Sequence, residues 1–199
     1  MICHKTGRIQ IHIPKTGGIS IRRAIFRKLK TDRYMHINPL HPRVKKYWDS
    51  YFTFTFVRNP FDRLLSIYSF TMDLKNPLSK NNKPFIQTMR EKNMTFEEFV
   101  YTLYKSKSMR FFQRFKPQIH WLQPEGQNIK FDFIGRLESI QNDYMKLCDL
   151  LQIKEPLPLP NANKSTNRDI KYKKYYTPEM QKMVSELYNK DFKFLKYKF

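Results

Sequence analysis

Residues Ile11 to Ser20 read I-H-I-P-K-T-G-G-I-S, and the stretch from Lys15 to Ser20 gathers a lysine, a threonine, two glycines and a serine. Each type suits a bound phosphate. Gly17 and Gly18 permit a tight turn in which backbone N–H groups of Thr16, Gly17 and Gly18 converge on an anion. A helix N-terminus behind the turn adds its dipole, the Ser20 hydroxyl adds a donor, and Lys15 adds a mobile point charge. The order differs from the common P-loop, in which Gly-Lys-Ser/Thr closes the motif, because here the lysine precedes the glycine pair.

The flanking elements fit this reading. Ile9, Ile11 and Ile13 alternate as in a strand over Arg8 to Ile13, Pro14 ends it, and Ser20 opens an amphipathic helix carrying Ile21, Ala24, Ile25, Lys28 and Leu29 on one face. Tyr51 to Val57 alternates aromatic residues with threonine, which predicts a second strand with Arg58 at its C-terminal end. Asn59 caps the next helix, Pro60 occupies its first turn, and Ser66 lies about two turns in. Ligands of open α/β sheets lie beyond the C-terminal ends of the strands. If these two strands are neighbours, Lys15 and Arg58 project into one crevice.

Further along, Thr95-x-x-Glu98 is a capping box ahead of Phe96, Phe99, Val100, Leu103 and Tyr104. Ser139 to Leu151 is helical, Thr177-Pro178 starts the last clear helix, Pro156 to Asn167 is a loop, and Asn76 to Lys83 is an exposed insertion. Strand and helix patterns alternate, so the expected fold is α/β, with a mostly parallel central sheet flanked by helices in a single domain over residues 1–199.

The string P-K-T-G-G-x-S after a short strand resembles the 5'-phosphosulfate-binding loop of the sulfotransferases, which use 3'-phosphoadenosine 5'-phosphosulfate (PAPS) as donor. The string R-N-P-x-D-R-L-x-S from Arg58 to Ser66 strengthens the resemblance. Lys116-Pro117-Gln118 with Trp121-Leu122, Phe131 to Arg136 with Glu138, Asn163-Lys164-Ser165 and the closing Y-Y-T-P-E extend it over nearly the whole chain. The similarity is to the branch that includes carbohydrate and heparan sulfate 2-O-sulfotransferases.

The resemblance implies a P-loop-like fold and in-line transfer of a sulfuryl group from PAPS to a hydroxyl of a carbohydrate-type acceptor, with no metal required. Lys15 meets the charge that builds on the bridging oxygen, and the loop Thr16, Gly17, Gly18, Ile19 and Ser20 holds the 5'-phosphate. Arg58 and Ser66 hold the 3'-phosphate. Ser165 and Arg168 close over the nucleotide, with a purely structural loop as the alternative. Ile19 departs from the family pattern, which usually has threonine there, so one side-chain phosphate contact is missing and donor affinity is lowered. For the general base the resemblance points to His36, in Tyr-Met-His-Ile, where a neutral imidazole accepts a hydroxyl proton near physiological pH. His41, Glu98 and Asp62 are the alternatives, Asp62 also suiting a helix N-terminus beside Arg63. His12 faces a packed sheet layer. His120 and Trp121 either line the acceptor cleft or, for Trp121, belong to the core.

The charge balance of 38 Lys plus Arg against 17 Asp plus Glu, a formal +21, attracts polyanions without naming one. Two phosphates on the donor, or an anionic acceptor, account for part of it. The Lys171–Lys174 and Lys190–Phe199 segments interleave lysine with aromatics as single-strand nucleic-acid binders do, yet the aromatics also fall at packing intervals and no nucleic-acid motif accompanies them. No apolar run is long enough for a membrane span, and the basic N-terminus lacks a signal peptide's apolar core, so the expected location is cytoplasmic. Cys3 and Cys148 lack metal-ligand spacing, and Cys148 shares a helix face with Tyr144, Leu147 and Leu151, which marks it as core. Two other function classes stay open: a nucleotide kinase-like phosphoryl transferase, whose Mg²⁺-binding acid and Gly-Lys-Ser/Thr order are not visible, and a non-catalytic binder of polyanions or nucleic acid.

Overall fold

Four strands form one sheet in the order β1 (Ile2–Cys3), β2 (Arg8–Gln10), β3 (Phe52–Val57) and β4 (Phe133–Arg136). In this computed structural model, which describes residues 1–27, 29–33, 37–75, 83–159 and 172–199, the helices follow in chain order. They are α1 (Gly18–Phe26), α2 (Pro42–Lys45), α3 (Pro60–Met72), α4 (Lys83–Glu91), α5 (Phe96–Lys105), α6 (Ile119–Leu122) and α7 (Ile140–Leu150), then helices Pro178–Leu187 and Asn189–Leu195. None is long and apolar enough to cross a membrane.

The chain forms two units, Met1–Arg58 with Gln118–Thr166, and Asn59–Pro117 with Asn167–Phe199. The first holds the sheet. β1 pairs antiparallel with β2, whereas β2, β3 and β4 run parallel, with Ile9 opposite Thr53 and Thr55 opposite Ile134. The expected strand over Arg8 to Ile13 is shorter than its hydrophobic pattern. Its ladder runs one residue further through the Ile11 N–H to the Phe54 carbonyl (3.0 Å), after which the chain turns toward α1.

Successive β3 side chains point to opposite faces. Phe54 and Phe56 join Ile21, Ala24, Ile25 and Phe26 of α1 and Tyr144, Leu147 and Cys148 of α7 in one core. On the other face the buried hydroxyls are satisfied, Thr55 donating to the Ile11 carbonyl (2.9 Å) and Thr53 to the Asp132 carboxylate (2.9 Å). Cys148 is therefore a core residue.

The second unit is helical, with a core built from Phe61, Leu64 and Ile67 of α3, Phe99, Val100 and Leu103 of α5, and Met180 and Val184 of the helix Pro178–Leu187. Both capping expectations hold: Asn59 accepts from the Phe61 N–H, and Thr95 and Glu98 form the reciprocal box at α5. Some of the C-terminal aromatics are packing residues, whereas Tyr175 and Phe194 are exposed. Tyr172 and Tyr176 are buried, and Phe199 meets Phe61 edge-on at 4.8 Å between ring centroids.

Candidate functional site

A turn joins β2 to α1, and its backbone is set by three positions. Lys15 has φ 67° and Gly17 φ 79°. Holding a lysine in that region costs about 1 kcal/mol or more, a strain that tends to be kept where it shapes a ligand site. Gly17 is required twice over, since a Cβ there would lie 2.7 Å from Leu137 Cδ1. At Gly18 a Cβ would lie 2.2 Å from His12 Nδ1, so the imidazole sits where any other residue would put its side chain.

Helix α1 starts at Gly18 rather than at Ser20, because the left-handed Gly17 acts as N-cap and its carbonyl already accepts from Ser20 N–H (3.0 Å) and Ile21 N–H (3.3 Å). Ser20 thus occupies the third helical position. The Gly18 and Ile19 N–H groups precede the first intrahelical donors, which leaves this end suited to an anion. Thr16 turns its hydroxyl inward to the Ile13 carbonyl (3.0 Å), so its backbone, not its side chain, serves the loop. The Ser20 hydroxyl, in contrast, bonds no described residue. Ile19 is 47% exposed at the start of α1.

Because β2 and β3 are parallel neighbours, their C-terminal ends emerge on the same edge of the sheet, as the sequence led us to expect if the strands adjoin. Arg58, only 7% exposed, donates from Nη1 to the Lys15 carbonyl (3.2 Å). Its main chain is gripped by one side-chain amide: Arg58 N–H donates to Gln118 Oε1 (2.9 Å), and Gln118 Nε2 donates to the Arg58 carbonyl (2.7 Å). Sequence reasoning named Gln118 within a motif but gave it no part in the nucleotide loop, since nothing local to it reports a partner 60 residues away.

The structure thus brings together Lys15 to Ser20 and Arg58. Ser66 belongs to the helical unit, where it lies half-buried on α3 with a hydroxyl that bonds no described residue. Its neighbour Ser69 instead bonds back to the Leu65 carbonyl (3.0 Å). His36, Ser165 and Arg168 lie outside the described residues.

Among the alternatives for the base, His41 caps α2 by accepting the Arg43 N–H at Nδ1 (3.3 Å). That nitrogen serves the helix cap. Glu98 is likewise committed, its Oε2 accepting the Thr95 N–H (2.7 Å) and hydroxyl (2.8 Å). Asp62 is buried in the first turn of α3. Trp121 is fully buried, which resolves it as core, with His120 edge-on to it at 5.1 Å.

The sequence model of the Sulfotransferase family matches residues 1–198, and the chain belongs to that family. Among curated proteins it is similar to carbohydrate sulfotransferase 11 of Mus musculus and to carbohydrate sulfotransferase 11 of Rattus norvegicus. Each is 28% identical over 191 residues, covering 85% of this chain and 52% of the relative. The chain therefore spans about half the length of the curated relatives it matches. No solved structure gives a match.

Proposed function

We propose that the protein is a PAPS-dependent sulfotransferase that sulfates a hydroxyl of a carbohydrate-type acceptor, its residues 1–199 working as one sulfotransferase domain. The observation that carries this reading is the Lys15–Ser20 turn with the Arg58 guanidinium bonded to its Lys15 carbonyl. One element suits a 5'-phosphosulfate, the other a 3'-phosphate. Family membership and the names of the two relatives support the reaction and the acceptor class.

In the proposed reaction the acceptor oxygen forms a bond to sulfur as the bond from sulfur to the bridging oxygen breaks, and the electron pair stays on the departing phosphate. Lys15 neutralises that developing charge, an interaction stronger in the transition state than in the ground state. Loop N–H groups and the Ser20 hydroxyl fix the 5'-phosphate, which holds the reacting centre in line. Arg58 supplies the planar fork for the 3'-phosphate, and Ser66 adds a hydroxyl in the role its motif implies. His36 takes the acceptor proton. Ser165 and Arg168 close over the nucleotide.

A thermal-shift titration tests the donor class, because a ligand that binds only the native state raises its stability with concentration over Kd. Adenosine 3',5'-bisphosphate, the product of transfer, is expected to stabilise the protein at far lower concentration than ATP. Preference for ATP with Mg²⁺ would instead support a phosphoryl transferase, and turnover that persists in EDTA excludes a dependence on that ion.

A further inference from the structure

We propose that Gln118 is a positioning residue of the nucleotide site, its side-chain amide acting as one extra rung of the sheet that sets the aim of Arg58. The inference rests on the assignment of Arg58 to the nucleotide's 3'-phosphate.

Strand β3 ends at Val57, whose carbonyl still accepts the Leu137 N–H (2.8 Å). Arg58 is the first residue past that ladder, and it is buried, so its own N–H and C=O need partners. A primary amide offers the same donor and acceptor pair as a neighbouring peptide group. Gln118 uses both: Oε1 takes the Arg58 N–H at 2.9 Å and Nε2 gives to the Arg58 carbonyl at 2.7 Å. The side chain has no measurable exposure, so water does not stand in for either bond.

The consequence is directional. With its main chain held at both polar atoms, Arg58 extends its guanidinium back to the Lys15 carbonyl (3.2 Å) and ties the strand end to the loop. Gln118 also begins the stretch in which the chain re-enters this unit, and Arg58 is the last residue before it leaves, so the amide joins the two chain passages on the sheet side. Glutamate would keep an acceptor for the Arg58 N–H but oppose the Arg58 carbonyl with a second acceptor. Asparagine lacks the methylene needed to reach. Methionine fills the volume and makes neither bond.

The test is a double-mutant cycle read as the Kd for adenosine 3',5'-bisphosphate by titration calorimetry, with the donor KM and kcat measured in parallel. Gln118→Ala and Gln118→Met are each expected to weaken binding roughly 10-fold, as loss of a held charge-assisted contact would, with Gln118→Glu in between. Adding either to Arg58→Ala should cost little more than Arg58→Ala alone, since the amide acts through the arginine. Donor KM should rise more than kcat falls. Gln118→Met retains the packing, so it supplies the reading if Gln118→Ala fails to fold. Losses that add to those of Arg58→Ala, or a lowered melting temperature with unchanged affinity, would show a structural role only and overturn the proposal. A wild-type protein that ignores the bisphosphate overturns the donor assignment, and the proposal with it, which is separable from wild-type binding that the Gln118 variants leave unchanged.

Discussion

Lys15 is held with a positive φ while its carbonyl is bonded by Arg58, so this one residue links backbone strain, the neighbouring strand end and the proposed reaction. Replacing it separates chemistry from folding. Lys15→Ala is expected to lower turnover by about 100-fold or more, the usual loss when a group aimed at developing charge is removed, with the circular dichroism spectrum unchanged. Full activity in that variant would sink the proposed role. Ile19 offers the opposite experiment. It is an exposed isoleucine at the start of α1, and if this loop holds the 5'-phosphate as proposed, Ile19→Thr is expected to tighten bisphosphate binding several-fold in the same titration, the scale of one added hydrogen bond. Unchanged affinity would mean that this side chain points away from the nucleotide.

At the scale of elements, the junction of β2 and α1 leaves no room for a side chain at Gly17 or Gly18. Gly18→Ala forces a methyl onto the His12 ring, and a cost of about 1 to 3 kcal/mol is expected from overpacking, read as a lower urea midpoint. Shrinking the imidazole as well, in Gly18→Ala with His12→Ala, should return part of that loss if the clash is its cause. The α5 cap makes a second prediction. The Thr95 N–H, followed by its hydroxyl, holds the Glu98 carboxyl below the usual carboxylate range. A lowered folded-state pKa means that the cap's contribution is complete above the unfolded value of about 4.3 and is lost as pH falls through the lower folded one. Thr95→Ala is expected to destabilise by about 1 kcal/mol at neutral pH, and the difference from wild type should shrink in acid-denaturation profiles.

For the whole molecule, a formal charge of +21 predicts that any polyanionic acceptor binds with a steep dependence on salt. Binding of the small bisphosphate, which meets a few fixed donors, should weaken much less over the same salt range, and titrations at two ionic strengths distinguish the two. A heparin-type polyanion that bound independently of salt would contradict this assignment of the charge. The cysteines, by contrast, have packing roles: both are buried and free, and burial pushes the Cys148 thiol up, which opposes its reactivity near neutral pH.

The chain's own residues fixed what depends on near neighbours. The Gly17-Gly18 turn, the Asn59 and Thr95 caps, the alternation of β3 and the burial of Cys148 were legible because φ preference, capping and side-chain periodicity act over a few residues. Lys15 and Arg58 were legible as candidates for the same reason, as charged residues at the ends of recognisable strands. What only the tertiary structure decided is what depends on who stands opposite. Strand order made Lys15 and Arg58 neighbours, the His12 ring gave Gly18 its second requirement, the α2 cap engaged His41, and Gln118 found Arg58 from 60 residues away. Hydrogen bonds and close packing are satisfied between atoms in space, and a linear pattern records the groups that need partners without recording which partners they meet.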